Sequence, residues 1–288
     1  MLKKSVNFYF RIPVWVYMLL VAGFPILYTV NLSFRKFSFA LPGYEGQFIG
    51  LDNYTRALLD PNFWGSLGVT FTIILFVIPA QLVAGFFIAG LLAKNLRGTK
   101  IFSSFIFLPM TIAPIVVGLI GRLLLIDRFG LVSWYLEYLG IDLGGSILGQ
   151  RIPALASIIL LDIWHWTPYV ALLLLAGLQS LPVEPYEAIE LEGASKLQTV
   201  WYVTLPLLKP ILVTAVLFRS IDLFRIFDEI LVLTGGGPGS STESVEMLTY
   251  KVNFHNWDMG YGASIGVITL IMVLLMSLLS LKLTRKET

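Results

Sequence analysis

The 288-residue chain contains no cysteine, which excludes disulfides and thiolate chemistry. It has two histidines, His165 and His255, which lie far apart in the sequence. These counts argue against a histidine or cysteine metal site.

Charge is also scarce. Charged residues make up 13% of the chain and hydrophobic residues 57%, whereas soluble domains are about 25% charged and about 45–50% apolar. The net charge is +2 and the basic residues lie mainly in short loops, so we expect no nucleic-acid partner. The composition predicts an integral membrane protein.

A phosphate-binding P-loop is missing as well. No segment matches G-x-x-x-x-G-K-[ST], and the glycine-rich run Gly235–Gly239 has no lysine after it. If ATP drives this protein, another subunit must therefore hold the ATP.

What the chain does contain is six apolar runs, each long enough to cross a bilayer as a helix. We therefore predict an all-α integral membrane fold with about six spans in a single domain, residues 1–288. The first run is too long for a signal peptide and has no cleavage site after it, so we interpret it as an uncleaved span. The runs cover about residues 12–34, 67–93, 102–126, 153–178, 207–233 and 260–282. Four prolines inside them predict kinks or plain packing irregularities: Pro79, Pro109, Pro114 and Pro168.

Basic residues in the loops predict the orientation. The side that holds both termini has eleven basic residues against seven on the other, so we expect both termini and the loop 182–206 to be cytoplasmic. The eleven are Lys3, Lys4, Arg11, Lys94, Arg97, Lys100, Lys196, Lys209, Lys282, Arg285 and Lys286. The seven are Arg35, Lys36, Arg56, Arg122, Arg128, Arg151 and Lys251.

The loop 182–206 is the one long polar-to-amphipathic segment between apolar runs. Glutamates crowd its first half before Gly193 interrupts it. Because glycine adopts the left-handed conformation without a Cβ penalty, we predict two short helices with a bend at Gly193. The alternative is a plain amphipathic inner loop.

This loop resembles the EAA motif of bacterial ABC-importer permeases. Glu187, Ala188, Gly193, Leu205 and Pro206 stand at the family's spacing. Two positions depart conservatively from the pattern: Ile189, where a second alanine is usual, and Val203, where isoleucine is usual. Glu192 stands where aspartate often precedes the glycine.

Two further segments resemble the carbohydrate-uptake subfamily of these permeases. They are Gly50-Leu-Asp-Asn-Tyr54, and Arg219 to Asp228 with the following Val232–Gly239. The resemblance extends over most of the chain.

The resemblance implies a multi-pass permease subunit of the bacterial cytoplasmic membrane that is not itself an enzyme. Its expected partners are a homologous second permease, two ATPase subunits, an extracytoplasmic binding protein, a small carbohydrate and membrane lipid. No cofactor is expected on this chain, with ATP and magnesium held by the ATPase subunits. The coupling residues, which would seat in a cleft of the ATPase, are Glu187, Ala188, Glu192, Gly193, Ala194, Leu205 and Pro206.

Charged residues inside the fifth run form a second candidate site. On a continuous helix Asp222, Arg225 and Glu229 share a face, with Arg219 and Asp228 beside it. Their spacing permits Arg219–Asp222, Asp222–Arg225 and Arg225–Glu229 pairs. Intramembrane charges are costly unless paired or hydrated, so they form either a structural ladder or part of a substrate passage. Both interpretations remain open.

The fourth run offers a facing set at i, i+3, i+4 and i+7: Asp162, His165, Trp166 and Tyr169. Aromatic rings with a polar edge suit a sugar, which has an apolar C–H face and a rim of hydroxyls. The alternative is that the aromatic residues only pack and that His165 is a buried, hydrogen-bonded histidine.

Two other functions compete with an ATP-driven importer. An ion- or proton-coupled secondary transporter would use the intramembrane carboxylates as a relay and would need no ATPase. A membrane enzyme or channel is the third, and no metal cluster, nucleophile motif or pore-loop repeat in the sequence supports it.

Overall fold

The computed structural model describes residues 12–39, 46–94, 97–127, 129–141 and 144–285. The described part of the chain is mostly helical. In chain order the helices are α1 (Ile12–Ser33), α2 (Asp52–Leu59), α3 (Pro61–Leu92), α4 (Thr99–Phe107), α5 (Pro114–Leu125), α6 (Leu131–Tyr138), α7 (Arg151–Ser180), α8 (Glu184–Leu191), α9 (Lys196–Phe224), α10 (Asp228–Leu233), α11 (Val245–Tyr250) and α12 (Met259–Arg285). Five of these helices, α1, α3, α7, α9 and α12, are long and apolar enough to cross a membrane. Of the basic residues that predict the orientation, five lie outside the described residues: Lys3, Lys4, Arg11, Arg128 and Lys286.

The third apolar run, predicted as one kinked helix over about 102–126, is broken. Helix α4 ends at Phe107, a short 3-10 turn covers Pro109–Thr111, and α5 begins at Pro114. The residue before a proline is pushed out of the helical region, and Ala113 accordingly has an extended backbone with ψ 137°. A continuous helix here was therefore a wrong prediction.

The fifth run differs at both ends from the predicted 207–233. The helix α9 begins at Lys196, so the predicted second short helix of the loop is fused to it through a π-helical turn at Val200–Thr204. It ends at Phe224, and α10 starts again at Asp228. Acidic residues at a helix N-terminus are favoured by the helix dipole, which explains why the chain restarts a helix at Asp228-Glu229.

Cα packing divides the chain into two compact units, and the first comprises the described residues within 1–64 and 248–272. A two-residue antiparallel hairpin pairs β1 (Arg35–Lys36) with β2 (Gln47–Phe48). The Asn53 amide donates to the backbone oxygens of Ser33 and Arg35, both at 2.9 Å. The Gly50–Tyr54 segment therefore holds the end of α1 to the hairpin.

A second polar cluster in this unit joins α2 to the start of α12. The Arg56 guanidinium pairs with Asp258 at 2.7 Å and lies 3.9 Å from the ring centroid of Tyr261. The Tyr261 hydroxyl donates to Asp60 at 2.6 Å. These contacts fix the short helix against the long one.

The second unit comprises residues 65–247 and 273–288 and contains both candidate sites. Its apolar core joins α3, α7 and α9 through Ala89, Val170, Leu174 and Leu208, all fully or almost fully buried. Small residues let the helices approach closely, as is usual between membrane helices. At Gly118 of α5, an added Cβ would stand 3.0 Å from the Glu229 backbone. Glycine at this position therefore lets α5 lie directly against α10.

Candidate functional site

A buried arginine joins three long helices of the second unit. Arg219 of α9 is 2% exposed, and each of its three guanidinium nitrogens faces an acceptor. Nε donates to the Gln81 side chain of α3 at 2.9 Å, and Nη2 donates to Asp162 of α7 at 2.6 Å. Nη1 reaches Asp222, one turn along α9, at 3.4 Å.

Gln81 closes this network. Its amide nitrogen donates to the side chain of Asp162 at 2.9 Å and to the backbone oxygen of Asp162 at 3.0 Å. A buried ion pair is destabilising unless its remaining donors and acceptors are satisfied, and Gln81 satisfies both partners at once. We call Gln81, Asp162 and Arg219 the clamp.

A second buried pair lies beside the clamp. The Nδ1 atom of His165 is 2.8 Å from a carboxyl oxygen of Glu229 in α10, and its Nε2 atom is 3.0 Å from the backbone oxygen of Ile112. A carbonyl only accepts, so Nε2 carries a proton. One further proton then lies between Nδ1 and Glu229, and the pair is neutral whichever partner holds it. The other Glu229 carboxyl oxygen is buried without a hydrogen-bond partner.

The break between α9 and α10 opens beside these groups into a cavity of about 250 Å³. Trp166 forms part of its wall, with its ring centroid 5.2 Å from the Arg219 guanidinium, a cation–π geometry. Of the sequence-predicted site residues, seven line the cavity: Asp162, Trp166, Arg219, Asp222, Arg225, Asp228 and Glu229. Asp222, Arg225 and Asp228 are exposed.

Two predicted site residues stand apart from the cavity lining. His165 is fully buried behind it, in the hydrogen-bonded position that was the alternative to a ligand role. Tyr169 packs at the edge of Trp166, with ring centroids 6.1 Å apart and an interplanar angle of 87°.

The predicted ladder along the fifth run is partly wrong. The Arg219–Asp222 contact is present, but the shared-face arrangement assumed an unbroken helix through Glu229. Because α9 ends at Phe224, Glu229 belongs to another helix and pairs with His165 instead of Arg225. Arg219, predicted at the edge of the cluster, is its centre.

Sequence reasoning missed Gln81. The residue is fully buried and is the connecting member of the clamp. A signal was available, because a glutamine inside an apolar run needs a partner within the membrane. The sequence did not say which helix would supply it.

The loop between α7 and α9 has the predicted bend. Gly193 follows α8 with φ 74°, in the left-handed region that glycine adopts freely. Its N–H donates to the Glu190 oxygen at 3.0 Å, and the Ala194 N–H donates to the Ile189 oxygen at 3.3 Å. These are the two hydrogen bonds of a Schellman motif, which ends a helix and redirects the chain.

The next helix starts at once. Ser195 and Gln198 form a capping box at the start of α9, with hydrogen bonds of 3.4 and 2.7 Å. The Tyr186 hydroxyl of α8 donates to the Thr204 hydroxyl in the π-helical turn at 3.2 Å. This hydrogen bond joins the two arms of the bend.

Most of the predicted coupling residues face outward. Glu187, Ala188, Glu192, Gly193 and Pro206 are exposed. Ala194 and Leu205 are half-buried. The loop therefore presents a bent, hydrogen-bonded surface to its surroundings.

Comparison with protein families gives one match that covers most of the chain. Residues 81–286 match the family described as binding-protein-dependent transport system inner membrane component. The matched region contains both the bent loop and the clamp.

Individual relatives match over nearly the full length. The chain is 35% identical to the trehalose/maltose transport system permease protein of Thermococcus litoralis, covering 98% of this chain and 95% of the relative. It is 34% identical to the arabinooligosaccharides transport system permease protein of Bacillus subtilis, covering 98% and 89%.

Solved structures share the fold. A subunit of a bacterial ABC transporter involved in import of the acidic polysaccharide alginate superposes with a TM-score of 0.82, at 18% identity. The superposition covers 99% of this chain and 97% of that one.

Proposed function

Because the chain belongs to the family of binding-protein-dependent transport system inner membrane components, we propose that it is the permease subunit of an ATP-driven importer for a sugar or sugar derivative. The observation that carries the sugar assignment is the near-full-length similarity to permeases named for trehalose, maltose and arabinooligosaccharides. The polar cavity beside Trp166 supports it, because it offers an aromatic face and hydrogen-bonding groups together.

We further propose the topology and partners. The multi-pass chain lies in the bacterial cytoplasmic membrane with both termini cytoplasmic, and α4 and α5 together make one broken crossing. A second permease, two ATPase subunits and an extracytoplasmic binding protein complete the transporter. ATP and magnesium bind to the ATPase subunits. The relatives' names and the basic residues of the loops support this arrangement.

The bent loop is proposed as the coupling element. Its exposed glutamates and the Gly193 bend form a rigid knob that fits a cleft on the ATPase. Because α9 runs without interruption from the loop to Arg219, a push on the knob is transmitted directly to the clamp and the cavity wall. This continuity supports a mechanical link between ATP binding and the sugar path.

The cavity is proposed as part of the sugar path, and its residues have different roles there. Arg219 and Asp162 hold the helices together, while the exposed carboxylates of Asp222 and Asp228 accept hydrogen bonds from sugar hydroxyls. Trp166 provides a flat surface for the C–H face of the sugar ring.

Trp166→Ala tests the path in the fully assembled transporter, with radiolabelled maltose and trehalose as probes. We expect the KM for uptake to rise up to about tenfold, since aromatic contacts contribute roughly 0.5–1.5 kcal/mol beyond their buried area. Basal ATP hydrolysis should remain measurable, because Trp166 lies about four helical turns along α7 from the Ser180 end that leads into the coupling loop.

Trp164→Ala is the matched control, since Trp164 lies on the same helix, is 48% exposed and does not line the cavity. Its uptake kinetics should match those of the unaltered protein. If the uptake kinetics of Trp166→Ala equal those of Trp164→Ala and of the unaltered protein, Trp166 only packs and does not contact the sugar.

A further inference from the structure

The cavity contains more carboxyl groups than guanidinium groups. Its lining includes four carboxyl side chains, Asp162, Asp222, Asp228 and Glu229, and two guanidinium side chains, Arg219 and Arg225. The His165–Glu229 pair is neutral as a unit because it shares one proton. Three carboxylates then remain against two guanidinium groups, so negative charge is still in excess.

Arg219 is not free to bind an anion. A guanidinium recognises a phosphate or carboxylate through two parallel N–H bonds. All three nitrogens of Arg219 already face Gln81, Asp162 and Asp222, and the side chain is 2% exposed. An anionic ligand would have to break the clamp to reach it.

Arg225 is exposed and lines the cavity together with acidic side chains. It interacts electrostatically with the half-buried Glu246 carboxyl of α11. Asp222 and Asp228 lie three residues before and three residues after it in the sequence and line the same cavity. Its positive charge therefore belongs to a lining in which carboxyl groups outnumber guanidinium groups.

We propose that this cavity accepts neutral sugars and rejects anionic ones, such as uronic acids and sugar phosphates. The inference rests on the proposed function, in which the cavity lies on the sugar path. An anionic group that enters would lose its hydration and meet like charge, whereas a neutral sugar donates hydroxyl hydrogen bonds to the exposed carboxylates of Asp222 and Asp228.

The fold does not decide this preference. The structurally similar alginate importer is described as carrying an acidic polysaccharide, so the same arrangement of helices also serves an anionic cargo. Charge selection in this chain must then come from its own side chains. Asp222 and Asp228 are the two exposed acidic members that can act on a ligand.

Equilibrium binding to the purified transporter, assembled without its binding protein, tests the inference. The neutral probes are tritiated maltose and trehalose, and the anionic probes are trehalose 6-phosphate and a glucuronic acid-containing disaccharide. We expect at least one neutral probe to bind more than about tenfold tighter than both anionic probes, because like charges in a site are strongly unfavourable. An anionic probe that binds as tightly as the best neutral probe would overturn the inference.

The double variant Asp222→Asn/Asp228→Asn tests whether these two side chains carry the selection. It keeps one oxygen acceptor on each side chain, replaces the other with an N–H donor and removes two charges, so the neutral-to-anionic preference should fall by about tenfold or more. The control is Glu137→Gln, an exposed carboxylate on α6 outside the cavity, which should keep the preference. An unchanged preference in the double variant contradicts the inference.

Failure of the proposed function gives a different result. If no probe binds the unaltered transporter while uptake with the binding protein proceeds, the cavity is not a sugar site and the inference fails with that assignment. If neutral and anionic probes bind equally, the sugar path stands and only the charge selection is wrong.

Discussion

An Arg219→Met variant should melt at a temperature several degrees lower and lose sugar uptake. The change leaves the Asp162 carboxylate buried at 3% exposure without its cation. Removing one partner of a buried ion pair destabilises a protein by about 3–5 kcal/mol. Two of the three helices that meet at the clamp, α7 and α9, also line the cavity, so we expect transport to be lost with stability. Thermal denaturation in detergent and uptake in proteoliposomes measure the two effects.

The paired variant Arg219→Met/Asp162→Asn separates charge compensation from a general loss of packing. It removes both charges and retains an oxygen at residue 162 that accepts from Gln81, as the Asp162 carboxyl does at 2.9 Å. We expect it to recover most of the melting temperature. If the double variant melts as low as Arg219→Met, the ion pair is not what Arg219 contributes. Arg219→Lys is a further comparison, since it keeps the charge and loses the planar fork that reaches three partners.

A Gly193→Val variant should uncouple the transporter without disturbing its membrane region. Gly193 has φ 74°, and a non-glycine residue in this conformation costs about 1–2 kcal/mol, with a β-branched side chain among the worst. An added Cβ would meet nothing within 4 Å, so the penalty comes from the backbone alone. We expect uptake to fall by about tenfold or more, because about 1.4 kcal/mol corresponds to a factor of ten. Less ATPase subunit should co-purify, and sugar should no longer stimulate ATP hydrolysis.

Gly193→Asn is the matched control, because asparagine adopts the left-handed conformation more readily than other residues. It also adds a side chain to the open space beside residue 193, and it should keep most of the uptake. If Gly193→Val retains full uptake and full sugar-stimulated hydrolysis, the bend is not the coupling element. If Gly193→Asn loses uptake as completely as Gly193→Val, the added side chain and not the backbone conformation is the cause.

The bent loop shows what the sequence could predict. Gly193 after a run with helical character, followed by Ser195 and Gln198, contains the chemistry of one helix end and one helix start within a few residues. Such signals are local, so the bend was predictable. The π-helical turn at Val200–Thr204, which fuses the second short helix to α9, was not visible in the pattern.

The cavity shows where sequence reasoning stopped. Helical spacing grouped Asp222, Arg225 and Glu229 on one face, but the helix ends at Phe224 and the groups separate. The partners that decide the arrangement, Gln81 and the Ile112 carbonyl, come from distant parts of the chain. Spacing rules give neighbours along one helix, whereas the clamp depends on which helices pack together.

We propose that this chain moves sugar by using ATP held in its partner subunits. The most direct test is uptake of radiolabelled maltose and trehalose by proteoliposomes that contain the complete transporter and its binding protein. We predict uptake above background with ATP available to the ATPase subunits, and none when a proton or sodium gradient replaces ATP. Uptake by this chain alone, driven by an ion gradient without any ATPase subunit, would contradict the account and favour a secondary transporter.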